Sequence, residues 1–355
     1  MNKYLIGLRG LVSRKPKYII LYVTARCNAR CKMCFYWKEI NNASNQTELT
    51  LDEIDKISHS FGMLQYVTLT GGEPSLRNDL PNITRIFDEN NQVQFVSIPT
   101  NSIQVDNIQA TVEEILKSTK HPRLKLCLSM DGLGSDHDNI RGVIGCFDKV
   151  LQNYSNLVKL KKNVKDFDIM INMTVSSYNV DKVEEVMNFV RQNMPEANFD
   201  FGWARGDVRD KASRNVVAAD YERVSRIVNS REENYSSGFE FSKIMATNKL
   251  VMRDLIVHNL KGEKRFYSCS AGRDMVIISE NGEVRPCEML DVAFGNLRDA
   301  NCDINKILST ELAKKTLKYI KDKKCTCTFE NALQCSLAYN PSSWPLIIRK
   351  MISRR

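Results

Sequence analysis

The chain contains no run approaching the roughly 18 consecutive apolar residues that would cross a bilayer. Arg9 also interrupts the apolar start that an export signal would need. These absences predict a cytoplasmic protein, at most peripheral at the inner face of a membrane. No long internal repeat or low-complexity segment is present, and 355 residues at 43% hydrophobic content suffice for one large globular domain plus a smaller one. Acidic residues are missing from both ends. Residues 1–17 carry Lys3, Arg9, Arg14, Lys15 and Lys17, and the last residues carry Arg349, Lys350, Arg354 and Arg355, which together account for the whole formal net charge of +9. The body between them is balanced, so no basic groove is expected to track a phosphate backbone, and nucleic acid is excluded as a partner.

What the chain does have is cysteine, eleven in all. A reducing compartment disfavours a disulfide framework, so this number points to metal ligation or redox chemistry. Cys27, Cys31 and Cys34 lie together near the start; Cys269, Cys287, Cys325, Cys327 and Cys335 gather near the end; Cys127, Cys146 and Cys302 stand alone.

From Tyr18 onward, β-branched runs alternate with helical patterns, as in βα units around a parallel sheet. Strands are expected at 18–23, 66–69, 93–98, 124–130, 169–175 and 199–203, with helices between them. Thr50 and Glu53 form a capping-box signal for a helix over 51–58, and 180–193 has apolar residues at helical spacing. Right-handed crossovers would curl six such strands into an open barrel. The fold class is therefore α/β, a partial TIM-like barrel of six βα units followed by a C-terminal module. The expected segments are a basic amphipathic stretch (1–17), the barrel core (18–235), the cysteine-rich module (236–341) and a basic amphipathic tail (342–355). Helical segments are expected at 221–228 and 244–258. In the C-terminal module, 275–279 and 283–285 read as a hairpin through Asn281-Gly282 that brings Cys269 and Cys287 together.

Three thiolates in one short loop is an informative number. A [4Fe-4S] cluster normally takes four, so three leave one iron open to an external ligand. A structural zinc ion with a distant fourth ligand is the alternative. Cys27-Asn-Ala-Arg-Cys31-Lys-Met-Cys34 after the first strand resembles the Cys-x3-Cys-x2-Cys motif of the radical S-adenosylmethionine (SAM) superfamily. That resemblance implies that SAM chelates the open iron, and that reductive cleavage gives methionine and a 5'-deoxyadenosyl radical, with the protein orienting the cofactors.

The resemblance extends along most of the chain. Gly71-Gly72-Glu73-Pro74 matches the family's GGEP motif and implies contact with the SAM amino group; Asn101, closing Pro99-Thr100-Asn101, is similar to its TN segment. Ser129-Met-Asp131-Gly132, followed by His137-Asp138 and Arg141-Gly142, resembles the SxDG and HDxxRG pattern of the SPASM and twitch branch. By that resemblance Ser129 and Asp131 would meet the ribose and Arg141 the SAM carboxylate, a task suited to a planar guanidinium. All these motifs fall at C-terminal ends of expected strands, the rim where barrel enzymes place chemistry. Met33 departs from the family, which often has an aromatic residue there; Phe35-Tyr36-Trp37 follow instead.

In the tail module, Cys269, then Gly282 with four residues between it and Cys287, then Gly295-Asn296-Leu297, look like the start of an auxiliary-cluster domain. The usual long cysteine ending is cut to Cys325, Cys327 and Cys335. One auxiliary [4Fe-4S] cluster is therefore expected, held by Cys269, Cys287, Cys335 and one of Cys325 or Cys327, with zinc as the alternative.

The expected function is hydrogen abstraction from a small-molecule or lipid-linked substrate, since neither a leader-binding segment nor the full cysteine ending of sulfatase-maturing relatives is apparent. A peptide- or protein-modifying enzyme and a non-enzymatic zinc or iron-sulfur protein are the alternatives. A flavodoxin- or ferredoxin-like reductant is implied. Leu5, Leu8, Leu11 and Val12, and again Trp344, Ile347, Ile348, Met351 and Ile352, form apolar stripes amid basic residues, which suits either an anionic membrane surface or packing on the barrel. Cys127 and Cys146 are candidate hydrogen donors, against the ordinary role of cysteine as a small hydrophobe.

Overall fold

The computed structural model describes residues 15–45, 47–230, 242–322 and 325–353. The N-terminal apolar stripe and the expected boundary at 235 lie outside them.

The six expected parallel strands are present: β1 (Tyr18–Thr24), β2 (Tyr66–Gly71), β3 (Phe95–Thr100), β4 (Arg123–Ser129), β5 (Phe167–Val175) and β6 (Ala197–Trp203). Each is followed by at least one helix that covers the outer face of the sheet. The helices used below are α1 (Leu51–Ser60), α2 (Ser135–Arg141), α3 (Cys146–Lys161), α4 (Val183–Asn193), α5 (Ala218–Asn229) and α6 (Ser242–Leu260).

Strand alternation builds two interiors. On β1, Ile19, Leu21 and Val23 enter the large core between sheet and helices, whereas Tyr18, Ile20 and Tyr22 face the barrel lumen with Met275, Ile277 and residues of the C-terminal module. A strand buried on both faces carries apolar residues at every position, which is why β1 reads as a continuous run. The expected capping box opens α1: Glu53 N–H donates to Thr50 Oγ1 at 3.2 Å, and Thr50 N–H to Glu53 Oε2 at 2.8 Å. α4 starts three residues later than its periodicity suggests. Asn179 is used to tie a turn instead, accepting from Ser176 N–H (2.7 Å) and donating to the carbonyls of Asp131 (2.9 Å) and Thr174 (3.0 Å).

The hairpin assigned by sequence to the C-terminal module belongs to the barrel sheet. β7 (Met275–Ile278) pairs in parallel with the free edge of β1, and β8 (Glu283–Arg285) and β9 (Gly295–Asn296) continue antiparallel. The sheet therefore has nine strands in the order β6-β5-β4-β3-β2-β1-β7-β8-β9. Hydrophobic periodicity identifies a strand but not its partner, so this join was not readable from sequence.

A further helix, α7 (Glu330–Tyr339), bridges the opening between β1 and β6. Trp203 N–H at the end of β6 donates to Glu330 at 3.0 Å, while Ala332 and Cys335 pack with Tyr18 and Ile20 of β1. The last helix, α8 (Trp344–Ile352), lies on α6, with Ile347 buried and Lys350 paired to Asp254 at 2.7 Å. The C-terminal stripe is thus split: Ile347 and, in part, Met351 face the protein, whereas Ile348 and Ile352 are 55% and 66% exposed.

Candidate metal and cofactor site

The loop after β1 is tied down from three sides. Gly72 N–H donates to Thr24 carbonyl (2.7 Å) and Glu73 N–H to Arg26 carbonyl (2.8 Å). Arg30 and Lys32 N–H donate to the carbonyls of Arg141 and Ile140, both at 3.0 Å. Beyond β6, Arg209 and Asp210 N–H donate to the carbonyls of Cys34 (2.9 Å) and Lys32 (2.8 Å). Met33 is buried with Ile140 and Ala204, so it anchors the loop from beneath. Of the aromatic trio, Tyr36 packs on Tyr22 with ring centres 4.6 Å apart and donates to Glu280, and Trp37 Nε1 donates to Asp207 carbonyl at 3.0 Å. With the backbone held and these large side chains pulled to the rim, Cys27, Cys31 and Cys34 are left as the free donors of the loop.

The glycines are dictated by distance. A Cβ on Gly71, whose φ is +132°, would stand 2.2 Å from Thr24 O, and one on Gly72 would stand 2.2 Å from Arg26 O. Glu73 is buried, which raises its pKa. Its carboxylate accepts from Ser75 N–H (3.1 Å), Thr100 Oγ1 (2.8 Å) and Asn101 N–H (2.7 Å). The carboxylate expected at the SAM amino group therefore fastens the ends of β2 and β3 together. Asn101 Nδ2 donates to Asn28 at 2.7 Å and lies 3.9 Å from Cys27 Sγ.

Asp131 is fully buried. It accepts from Thr174 N–H at 2.7 Å and from Arg141 Nε at 2.5 Å, so its carboxylate faces the protein and orients the arginine. Arg141 Nη1 reaches to 3.6 Å from Cys31 Sγ. Burial opposes the charged guanidinium, but Asp131 and Cys31 outweigh it and its pKa rises. Asp131 N–H donates to His137 Nδ1 at 3.0 Å, and burial, reinforced by Arg141, pushes that imidazole down to about 4. Ser129 closes β4 on the lumen side, in register with Asn172.

Burial raises the thiol pKa values first, and neighbouring thiols add to it at Cys27, which rises to about 11, and at Cys34, which rises to about 12; Cys31 also rises by burial, with Arg141 opposing and Asp131 adding. Such thiols ionise readily only beside a cation, and metal binding releases their protons. Three soft sulfur donors with Arg141 beside them therefore fit an iron-sulfur cluster at Cys27, Cys31 and Cys34.

In the C-terminal module Cys287 is influenced by Cys269 and Cys325, and Cys327 by Cys269, Cys287 and Cys325. Cys335 likewise has Cys269 as a neighbour, together with Asp274 and Lys17. All five cysteines pack in one cluster with Tyr18, Ile20 and Phe329. Cys127 faces the lumen, 3.5 Å from Ser97 Oγ, whereas Cys146 is fully buried against Asn101 carbonyl. Of the two candidate hydrogen donors, only Cys127 is on the lumen wall.

Between the two cysteine groups lies a network that sequence reading missed. Arg205, just beyond β6, bonds Glu288 at 2.7 Å and Glu330 at 2.9 Å, and Tyr22 donates to Glu288 at 2.9 Å. Two signals were available: Glu288 adjoins Cys287, and Arg205 follows a strand's C-terminal end.

A parallel barrel with three thiols after its first strand, glycine-lined backbone beside them and a second thiol group in the C-terminal module is the arrangement expected of a SAM-dependent iron-sulfur enzyme. The description "Radical SAM superfamily" matches residues 21–190, and "Iron-sulfur cluster-binding domain" (SPASM) matches 269–335. The chain belongs to the radical SAM superfamily, in its SPASM-bearing branch, and its cofactors are SAM, a [4Fe-4S] cluster and an auxiliary iron-sulfur cluster. An AdoMet-dependent heme synthase of Methanosarcina barkeri is 27% identical over 309 residues, 81% of each chain. A GTP 3',8-cyclase of Alkaliphilus oremlandii is 26% identical over 196 residues, 54% of this chain and 58% of the cyclase. Among solved structures, anSMEcpe with bound AdoMet and Cp18Cys peptide superposes with a TM-score of 0.62 at 16% identity, covering 96% of this chain and all of that one. Streptococcus suis SuiB bound to S-adenosylmethionine gives 0.59 at 17%, covering 87% of this chain and 67% of SuiB. At these identities the two structures show a shared fold.

Removing the acid from the buried Asp131–Arg141 pair should be costly. Asp131→Ala is expected to lower unfolding free energy by about 3–5 kcal/mol, because Arg141 is left without its counter-charge. Anaerobic urea unfolding measures this; an unchanged midpoint would show that the pair does not hold the site.

Proposed function

We propose that Cys27, Cys31 and Cys34 hold the SAM-cleaving cluster and that the substrate lies in the barrel lumen, a small molecule or a lipid-linked molecule from which hydrogen is abstracted. The observation that carries this reading is the convergence of the cysteine loop, the Gly71-Gly72 backbone and Arg141 at one rim of a lumen with polar walls. When bound, the cluster supplies the electron that cleaves SAM. The backbone at Gly71 and Gly72 approaches the SAM amino acid portion, Arg141 receives its carboxylate, and Ser129 lies toward the ribose. Asp131 and Glu73 act from behind as positioning residues. Cys269, Cys287, Cys335 and one of Cys325 or Cys327 hold the auxiliary cluster, and Arg205 with Glu288 and Glu330 joins that side of the molecule to the rim. The small-molecule reading is supported by the activities of the sequence relatives, a heme synthase and a GTP cyclase. A flavodoxin- or ferredoxin-like protein is the proposed reductant.

Reduced with dithionite, the reconstituted enzyme should convert SAM to methionine and 5'-deoxyadenosine, and Cys27→Ala, Cys31→Ala and Cys34→Ala should each abolish this. Chromatography of the products decides it, and cleavage that survives any of the three changes would remove the cysteine loop from the reaction.

A second reading concerns location. No helix among the described residues is long and apolar enough to cross a membrane. The exposed Trp344, Ile348 and Ile352, spaced four apart on α8 beside Arg349, favour peripheral contact with anionic lipid. Native protein should float with anionic liposomes and an Ile348→Asp/Ile352→Asp variant should float several-fold less. Equal flotation of the two would contradict a role for this face.

A further inference from the structure

The inner wall of β4 carries a charge that has no carboxylate counterpart among the described residues. Leu124, Leu126 and Leu128 point outward into the helix-covered core, so Arg123, Lys125, Cys127 and Ser129 point into the lumen. The register places Ser97 beside Lys125 on one side and Asp168 on the other. Asp168 would be the natural partner, yet Arg123 claims both of its oxygens, through Nε and through Nη2 at 2.7 Å. No carboxylate among the described residues lies within ion-pair distance of Lys125.

Its surroundings are neutral and rich in hydroxyls. The ammonium lies 5.4 Å from the centre of the Tyr66 ring, and Tyr66 is in register with Tyr18. Tyr18 hydroxyl and Thr68 Oγ1 are 2.9 Å apart, and Thr68 is in register with Ser97. A cation held away from bulk water without a counter-ion is unfavourable. One flanked by Tyr, Thr and Ser hydroxyls has the donors that an oxyanion needs.

We propose that Lys125, with the hydroxyls of Tyr66, Thr68 and Ser97, is the anion subsite of the lumen and takes a carboxylate or phosphate group of the substrate. This rests on the reading of the lumen as the substrate site. It also sets a length. Ser129 is four residues further along β4, on the order of 13 Å toward the rim at about 3.3 Å per residue. The substrate's anionic group and its reacting carbon are therefore separated by roughly 10 Å or more on that strand spacing, with the anion deep and the carbon near the cysteine loop.

The test is residue-resolved amine labelling of the reconstituted full-length enzyme with SAM, by anaerobic reductive methylation read by mass spectrometry. Sodium chloride, sodium acetate and sodium phosphate are compared at equal ionic strength. Phosphate or acetate should slow labelling of Lys125 at least threefold relative to chloride, while Lys117, whose side chain is 72% exposed, is unaffected. Protection by phosphate alone assigns a phosphate group, and protection by acetate alone a carboxylate. Equal labelling of Lys125 in all three salts would overturn the proposal. So would no labelling of Lys125 in chloride, since a subsite that admits phosphate admits formaldehyde. The footprint is read without turnover, so its failure leaves SAM cleavage standing, and failure of SAM cleavage leaves the footprint standing.

Discussion

Arg141 and Asp131, buried together with Nε and Oδ2 2.5 Å apart, are the contact on which the rest of the site depends. Arg141 is used three times: its carbonyl accepts from Arg30 in the cysteine loop, its Nε is fixed by Asp131, and its Nη1 reaches toward Cys31. Asp131 in turn is held by Thr174 of β5, and its own carbonyl is held by Asn179 beyond it. One ion pair thus couples the ends of two strands, a helix C-terminus and the cysteine loop. A buried pair of this kind is poor evidence for stability gain, but breaking it is expensive, so it fixes geometry.

The other half of the rim follows the same logic with a different acid. Glu73 spends its hydrogen bonds on Ser75, Thr100 and Asn101, which locks β2 to β3 and leaves Gly71 and Gly72 as bare backbone against Thr24 and Arg26. Two buried carboxylates therefore build the frame of this rim, where glycine backbone, an arginine and three thiols come together.

Much of this was legible in the sequence because it is local. Cys27, Cys31 and Cys34 fall within one loop, the motif residues sit at strand ends set by alternating βα patterns, and the Thr50–Glu53 cap is a short-range signal. What escaped depends on long-range pairing. Nothing in 275–278 says that it extends β1. Arg205, Glu288 and Glu330 meet only after folding. Lys125 is intermediate: the alternation Arg123-Leu-Lys125-Leu-Cys127-Leu-Ser129 already says that it faces inward, but only the structure shows that Arg123 has taken Asp168 away from it.

The account stands or falls on whether the iron left open by the three-cysteine loop binds SAM. Electron paramagnetic resonance of the dithionite-reduced protein, before and after adding SAM, tests this most directly. The account predicts that SAM shifts the signal of the cluster at Cys27, Cys31 and Cys34, and that this shift is absent in a Cys31→Ala variant that keeps the auxiliary cluster. A native spectrum unchanged by SAM would contradict it.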